Sequence, residues 1–450
     1  MANIDAAPTI DIARTSKTKI VVVGGGAGGL ELVRRLGATL GRKEGYDIVL
    51  IDRNRTHIWK PLLHEVATGS LDANMDEVGY GGHGVRWGYR YFCGAVESID
   101  RESRHVITAP LLDEDGKEVI SRYRLRYDYL VMAVGGTTND FGIPGVLEHA
   151  MFLENRMQAD RFRNKLLNSC LRVAHESALE DKGQQLRITI VGGGATGVEL
   201  AAELYNAAKS LRQYGLETFD ERRISVSLLE AGPRILPQLP TALMETALEE
   251  LRALGVDVKL HTMVSEVRSD CVLTKDGQVL PSHMTLWAAG VKGPDFLSRL
   301  DGLEVDRLNR LVVGLTLQTT KDSRIFAIGD CCSCIPRGAD RPIHPRAQAA
   351  HQMATTAFNN IIALLKDKPL QEFVYHDHGS FVSLSRFSTV GSLMGNLVGG
   401  RMAVEGRLAR LVYTSLYRMH LIAVHGWLKG VALIVVGHVN KIVRPRLKLH

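Results

Sequence analysis

An α/β fold with two Rossmann-like dinucleotide-binding domains is predicted by three observations. The segments Val21-Val22-Val23-Gly24-Gly25-Gly26-Ala27-Gly28-Gly29-Leu30 and Ile190-Val191-Gly192-Gly193-Gly194-Ala195-Thr196-Gly197-Val198 each read as a buried strand, a glycine-rich turn and a helix start. An acid, Asp52 or Glu230, closes the next apolar strand after each turn. A later apolar strand in each half stops at glycine, at Val134-Gly135-Gly136 and at Ala288-Ala289-Gly290. The first glycine of GxGxxG permits the tight turn, the second lets backbone approach a pyrophosphate, and the third lets helix and strand pack closely. One such string is weak evidence, but two with matching surroundings imply two bound dinucleotides, the arrangement needed to pass electrons between cofactors.

The elements follow in order. Residues 18–52 read as a strand (Lys19 to Val23), a helix (Gly28 to about Leu40) and a second strand (Asp47 to Ile51). Asp52 ends this βαβ unit where it can accept hydrogen bonds from a ribose. The block His57-Ile58-Trp59-Lys60-Pro61-Leu62-Leu63-His64-Glu65 follows, then strand-like segments up to Leu130-Val131-Met132-Ala133-Val134, and Pro144-Gly145 marks a turn before a helical region. The second unit starts at Leu186, with a helix from Thr196 through Leu204 and a closing strand Ile224 to Leu229. About 35 residues separate its glycines from Glu230, more than the usual ~20, which predicts a helical excursion around Leu211–Glu221. Thr285-Leu286-Trp287-Ala288-Ala289-Gly290 repeats the strand-then-glycine ending, so the halves read as internal duplicates. The expected division is 18–157 and 301–375 for the first cofactor domain, 158–300 for the second, and 376–450 for a tail.

A chain of 450 residues exceeds one compact core. Its 45% hydrophobic and 23% charged residues suit a folded soluble chain. Residues 401–450 carry nine Lys/Arg against Glu405, a balance of +8, so the other 400 residues sum to −2 and a nucleic-acid role for the body loses its support. Six cysteines in a chain this long do not make a secreted disulfide scaffold. Residues 1–17 lack an apolar signal core, which leads us to expect a chain kept in the cytoplasm or on its membrane face.

The two cradles, together with Thr319 to Asp330, whose apolar run ends in Gly329-Asp330, resemble the glutathione-reductase-like flavoproteins of the pyridine nucleotide–disulfide reductase fold. Three finer features narrow the resemblance to the membrane-associated type II NADH:quinone oxidoreductases. They are Gly197-Val198-Glu199-Leu200 after the second cradle, Arg346-Ala347-Gln348-Ala349-Ala350-His351-Gln352, and the block Trp59 to Gly69 with a basic tail. The resemblance runs from Lys19 to His450. It implies FAD held through Gly24, Gly25, Gly26, Ala27, Gly28, Gly29, Asp52, Lys60, Val96, Asp330, Ala347 and Gln348, with Asp330 on the ribityl chain. It implies NADH held through Gly192, Gly194, Ala195, Thr196, Gly197, Glu230, Ala289 and Gly290. It gives catalytic roles to Glu199, near the nicotinamide, and to Gln348 and Gln352, beside the flavin and lining the quinone site. The implied reaction is NADH oxidation by hydride transfer to FAD, then two-electron reduction of ubiquinone or menaquinone without proton pumping. Implied too are anionic lipids as partners and a peripheral place on the cytoplasmic face of the inner membrane; a homodimer is one option, and the oligomeric state stays open. Many members carry a tail lysine near the flavin; here Met402–Leu408 offers Glu405 and Arg407, so no lysine is carried over.

Each feature also has a plainer reading. Glu230 could be a solvated strand-end acid; as a ribose ligand it favours NADH over NADPH, a preference that nearby Arg234 could weaken. Glu199, expected in the first turn of its helix, gains ~0.3–1 kcal/mol from the macrodipole without any role, and Gln348 and Gln352, four apart, could be an exposed polar stripe. Cys331 and Cys334 form a CxxC around Cys332 that could be a redox pair, half a metal site, or reduced core residues; the last is expected, because the disulfide reductases this chain resembles carry their pair in the first domain's early helices or in the second domain, no cysteine precedes Cys93, and no second CxxC completes a zinc set. On a helical wheel, Arg410, Arg418, His425 and Lys429 share an arc of about 100° opposite Val412, Tyr413, Leu416, Tyr417, Met419, Ala423, Val424 and Trp427. That pattern suits a helix lying in the membrane interface. The uncharged run Gly430–Asn440 is about half the ~20 residues of a span, and Lys429 at mid-bilayer would cost ~2.5–3.5 kcal/mol. Lys441, Arg444, Arg446 and Lys448 would meet anionic head groups, at roughly 1 kcal/mol each. Two other functions stay open: a disulfide or sulfide:quinone reductase of the same fold, and an NADH-sensing flavoprotein with slow turnover.

Overall fold

The computed structural model describes residues 17–71, 77–179, 185–211, 221–383, 389–395, 400–405 and 417–443. The chain divides into two compact units, residues 1–57, 77–137 and 291–376 in one and 58–76, 138–290 and 377–450 in the other.

The first unit is built on a five-stranded parallel sheet in the order Ile325–Ala327, Tyr129–Met132, Thr18–Val23, Tyr46–Asp52 and Arg90–Cys93. Its centre is the strand that feeds the first glycine turn. Ile20, Val21 and Val22 have no exposure, as a β-branched run covered on both faces should, and each such side chain stabilises the core by ~1.5–3 kcal/mol. Helix Ala27–Leu36 follows the turn, and the expected run to Leu40 instead becomes a π turn at Gly37–Gly41. The two glycines let this turn lie on the backbone at Gly88, where a Cβ on Gly41 would overlap the Gly88 carbonyl oxygen. Helix Ala347–Leu364 packs on helix Ala27–Leu36 so closely that a Cβ on Gly28 would stand 2.8 Å from the Ala350 carbonyl oxygen.

The second unit repeats the plan. Its parallel sheet runs Ala150–Met151, Met284–Trp287, Leu186–Val191, Ile224–Leu229 and Asp257–Lys259, again with the glycine-turn strand in the middle. In each unit a three-stranded antiparallel sheet precedes the glycine-ended strand: Ala95–Asp100, His105–Ala109 and Arg124–Arg126 in one, Val264–Val267, Cys271–Thr274 and Val279–Pro281 in the other. Helix Ala195–Leu211 leaves the second turn, and Glu221–Arg223 is a 3-10 turn before the next strand. The rest of the expected excursion lies outside the described residues. The short helix Leu63–Thr68 lies on Ala195–Leu211 and on the long helix Arg156–Leu179.

The tail departs from the single helix expected over Arg410–Lys429. Its first part, residues 410–416, lies outside the described residues, as do Arg407 and residues 444–450. A helix over residues 417–425 stops at Gly426, whose φ is +79°, and a new helix spans Trp427–Val443. That break ends the shared wheel, so Trp427 and Lys429 take their faces from the second helix. Close packing at the joint requires Gly430, where a Cβ would stand 2.8 Å from Ile422 Cα. The rings of His420 and Trp59, both buried, stack with centroids 3.9 Å apart and fasten the 417–425 helix to the block before Leu63–Thr68. No helix among the described residues is long and apolar enough to cross a membrane.

Candidate active site

Both glycine turns obey the same steric rules. Gly24 (φ +98°) and Gly192 (φ +115°) take left-handed conformations beside backbone, where a Cβ on Gly192 would stand 2.8 Å from the Ala288 carbonyl. A Cβ on Gly29 or Gly197 would overlap the carbonyl oxygen of Gly24 or Gly192. The middle glycines differ: around Gly26 and Gly194 nothing lies within 4 Å of a would-be Cβ. A dinucleotide pyrophosphate needs that open space in front of a helix N-terminus, so the residues fit two such ligands.

The strand-end acids are held in parallel fashion. Asp52 accepts hydrogen bonds from the Gly25 N–H (2.7 Å) and the Asn54 N–H (2.7 Å). Glu230 accepts from the Gly193 N–H (2.7 Å) and the Gly232 N–H (2.6 Å). Each carboxylate thus bonds the residue just after the first motif glycine of its own turn and the residue two positions beyond itself. Two charge-assisted bonds fix the direction of each carboxylate. Arg234 donates to the Pro237 carbonyl (2.7 Å) and to Thr241 Oγ1 (3.4 Å).

The other residues expected to hold FAD are placed as follows. Asp330 sits in the 3-10 turn Gly329–Cys331 after the strand Ile325–Ala327, and a Cβ on Gly136 would stand 3.3 Å from Asp330 Cβ. Ala347 and Gln348 form the first turn of the helix whose Ala350 crosses Gly28. Gln352 shares that helix, but its amide is engaged on both sides, donating to the His376 carbonyl (2.7 Å) and accepting from the His376 N–H (2.9 Å). Val96 is buried in the strand Ala95–Asp100. Lys60, exposed, starts a 3-10 turn, Lys60–Leu62, in a segment that packs with the second unit.

In the second unit Ala195 and Thr196 open the helix, and Ala289 and Gly290 follow the strand Met284–Trp287. Glu199 does not stand in the first turn, as the sequence led us to expect: helix Ala195–Leu211 starts at Ala195 and has no acid in its first turn, so Glu199 falls just beyond the range in which the dipole accounts for it. It is buried, 3.5 Å from His64. Sequence reading missed His64 in this role. It also missed Tyr80, which donates to the Gly25 carbonyl (2.8 Å) with its ring under the turn. Burial first, then the Asp52 charge, pushes the Tyr80 phenol well above its ordinary range, so it stays a donor. A lone tyrosine 55 residues from Gly25 carries no local signal of that contact.

The family model described as pyridine nucleotide-disulphide oxidoreductase matches residues 18–354, both cradles included. A type II NADH:quinone oxidoreductase of Haemophilus influenzae is 45% identical over 442 residues, covering 96% of this chain and 99% of the relative. The chain belongs to the type II NADH:quinone oxidoreductases. A member from Staphylococcus aureus is 30% identical over 395 residues, 86% of this chain and 92% of its own. The fold of NDH2 from Plasmodium falciparum in complex with NADH superposes with a TM-score of 0.79 at 20% identity, over 96% of this chain and all of that one.

In this type II NADH:quinone oxidoreductase the cysteines beside Asp330 are free and buried. Burial pushes the Cys331 thiol up to about 12 and the Cys334 thiol up to about 11, so neither supplies a thiolate at neutral pH. A Cys331→Ser, Cys334→Ser protein is therefore expected to keep NADH:quinone turnover within about twofold, since thiol chemistry needs the ionised form. In the native protein at pH 8, alkylation counted by mass spectrometry should reach the half-buried Cys93 and spare Cys331, Cys332 and Cys334.

Proposed function

We propose that this protein oxidises NADH at the second cradle, reduces a flavin held in the first, and delivers the electrons to a membrane quinone. The doubled carboxylate clamp, together with the open space at Gly26 and at Gly194, carries this reading. Asp52, Gly24 to Gly29 and Asp330 would hold FAD, and Glu230 with Gly192 to Gly197 would hold NADH. When bound, FAD supplies the two-electron acceptor and donor that no side chain provides. The chain's own work is orientation: each cradle fixes a pyrophosphate, and each acid fixes a ribose. Gln348, in the first turn of its helix, and Gln352, clamped by His376, would border the quinone. The domain division expected from the sequence assigns 18–157 and 301–375 to FAD and 158–300 to NADH.

The quinone, ubiquinone or menaquinone, is lipid-soluble, and the second tail helix suits a seat on the cytoplasmic face of the inner membrane. Trp427, Leu428, Val431 and Val435 are exposed by 69%, 81%, 37% and 58%. They fall within an arc of about 100° on that helix. Such a face, next to the basic tail, favours an interfacial seat on anionic lipid. Trp427→Ser with Leu428→Ser should lower binding to anionic vesicles, read by flotation, at least ~100-fold, at ~1.5–3 kcal/mol per side chain. Turnover with a water-soluble quinone should stay near normal.

The deciding test is anaerobic stopped flow. NADH should bleach the flavin absorbance, and a soluble quinone should restore it. A flavin that dithionite reduces but NADH does not would end the proposal.

A further inference from the structure

Helix Ala195–Leu211 puts two buried carboxylates, Glu199 and Glu203, four residues apart on one face. Both meet groups from one short stretch. Glu203 accepts hydrogen bonds from Ser70 Oγ and from Asn206 Nδ2 (3.2 Å). Glu199 Oε2 lies 3.5 Å from Nδ1 of His64, and their side chains are 9% and 5% exposed. The Ser70–Glu203 bond and the packing of helix Leu63–Thr68 on its two neighbours already fasten this stretch to the unit. A second polar contact is not needed as a strap, and burying a carboxylate is costly unless its partner offsets that cost.

We infer that His64 is a positioning residue, setting the direction of the Glu199 carboxylate for hydride transfer from the nicotinamide. This rests on the proposed function, in which Glu199 serves the nicotinamide. A proton on Nδ1 lets His64 bond the carboxylate once the atoms close by roughly 0.5 Å. The imidazole is in turn held by the helix Leu63–Thr68, so it limits the rotamers open to Glu199. Misdirecting a group that touches the reacting atoms slows the chemical step without loosening the nucleotide.

The variants are His64→Leu, which keeps the bulk and loses the donor, and His64→Asn, whose Nδ2 stands where Nδ1 stood. Ser70→Ala cuts the neighbouring clamp instead. On the flavin-loaded protein, His64→Leu should slow single-turnover flavin reduction by about tenfold or more. It should also raise the isotope effect with NADH deuterated at the transferred position. Affinity for NAD+, measured by calorimetry, should change less than about twofold. His64→Asn should recover most of the rate, and Ser70→Ala should keep the wild-type rate and isotope effect. An unchanged rate in His64→Leu overturns the inference, as does a weakening of NAD+ binding that matches the loss of rate. An Asn variant no better than Leu also overturns it. If the wild-type flavin is not reduced by NADH, the functional reading itself has failed; if only the variants behave wrongly, His64 alone has been misassigned.

Discussion

A Gly26→Val protein is expected to purify folded and colourless, while a Gly194→Val protein stays yellow but is no longer bleached by NADH. Gly26 has φ −68° and ψ −169°, an extended conformation open to any residue. Nothing lies within 4 Å of its would-be Cβ, so the new side chain enters the open space a pyrophosphate needs. Gly194 offers the same space, and the left-handed residue of its turn is Gly192 (φ +115°). Each substitution should remove two or more N–H to phosphate bonds, at ~1.5–3 kcal/mol each, and lower affinity at least ~100-fold. Circular dichroism and thermal melting should match wild type. Gly29→Ala and Gly197→Ala form the contrast, since their Cβ would overlap a carbonyl oxygen and they should lose the fold along with the ligand. Stoichiometric FAD in purified Gly26→Val would show that the first cradle is something else.

Replacing Glu230 by Gln should cost about tenfold in kcat/KM for NADH and move the NADPH/NADH ratio of kcat/KM upward by about 10–100-fold. Both carboxylate oxygens accept a main-chain N–H, at 2.7 and 2.6 Å. A glutamine must turn its NH2 toward one of those donors, leaving an N–H unpaired at ~1–3 kcal/mol. Loss of the negative charge also removes the repulsion that excludes a 2′-phosphate. The sequence left open whether Arg234 weakens that repulsion. The structure has its guanidinium on the Pro237 carbonyl and Thr241, so wild-type discrimination should rest on Glu230. Steady-state kinetics with both nucleotides decide the matter, and equal use of NADPH by the wild type would refute it. Asp52→Asn, cut from the same clamp in the first unit, should weaken flavin retention and leave nucleotide choice alone.

The strands around each turn were legible because a β-branched run stopped by glycines has few other uses. Ile224–Leu229 matches its expected bounds, and Thr18–Val23 differs from them by one residue. The helix after the first turn was less legible, because its end at Leu36 depends on Gly88, a residue remote in sequence. In the tail, the helical wheel had no means of placing a left-handed residue at Gly426. The contact of Gly430 on Ile422 joins residues on both sides of that break, which a wheel drawn for one continuous helix does not contain.

By itself, the sequence determined the two strand–turn–helix cradles, the acid that serves each, and the order in which the two sheets are laid down. These are local matters, in which glycine's missing Cβ and the pairing of apolar runs leave one solution. Only the tertiary structure decided which groups surround those cradles. The second N–H on each carboxylate, the tyrosine under Gly25, the carbonyl that occupies Arg234 and the histidine beside Glu199 come from these contacts. Such contacts join residues up to 135 positions apart, and their energies come from burial and direction, which no spacing in a sequence records.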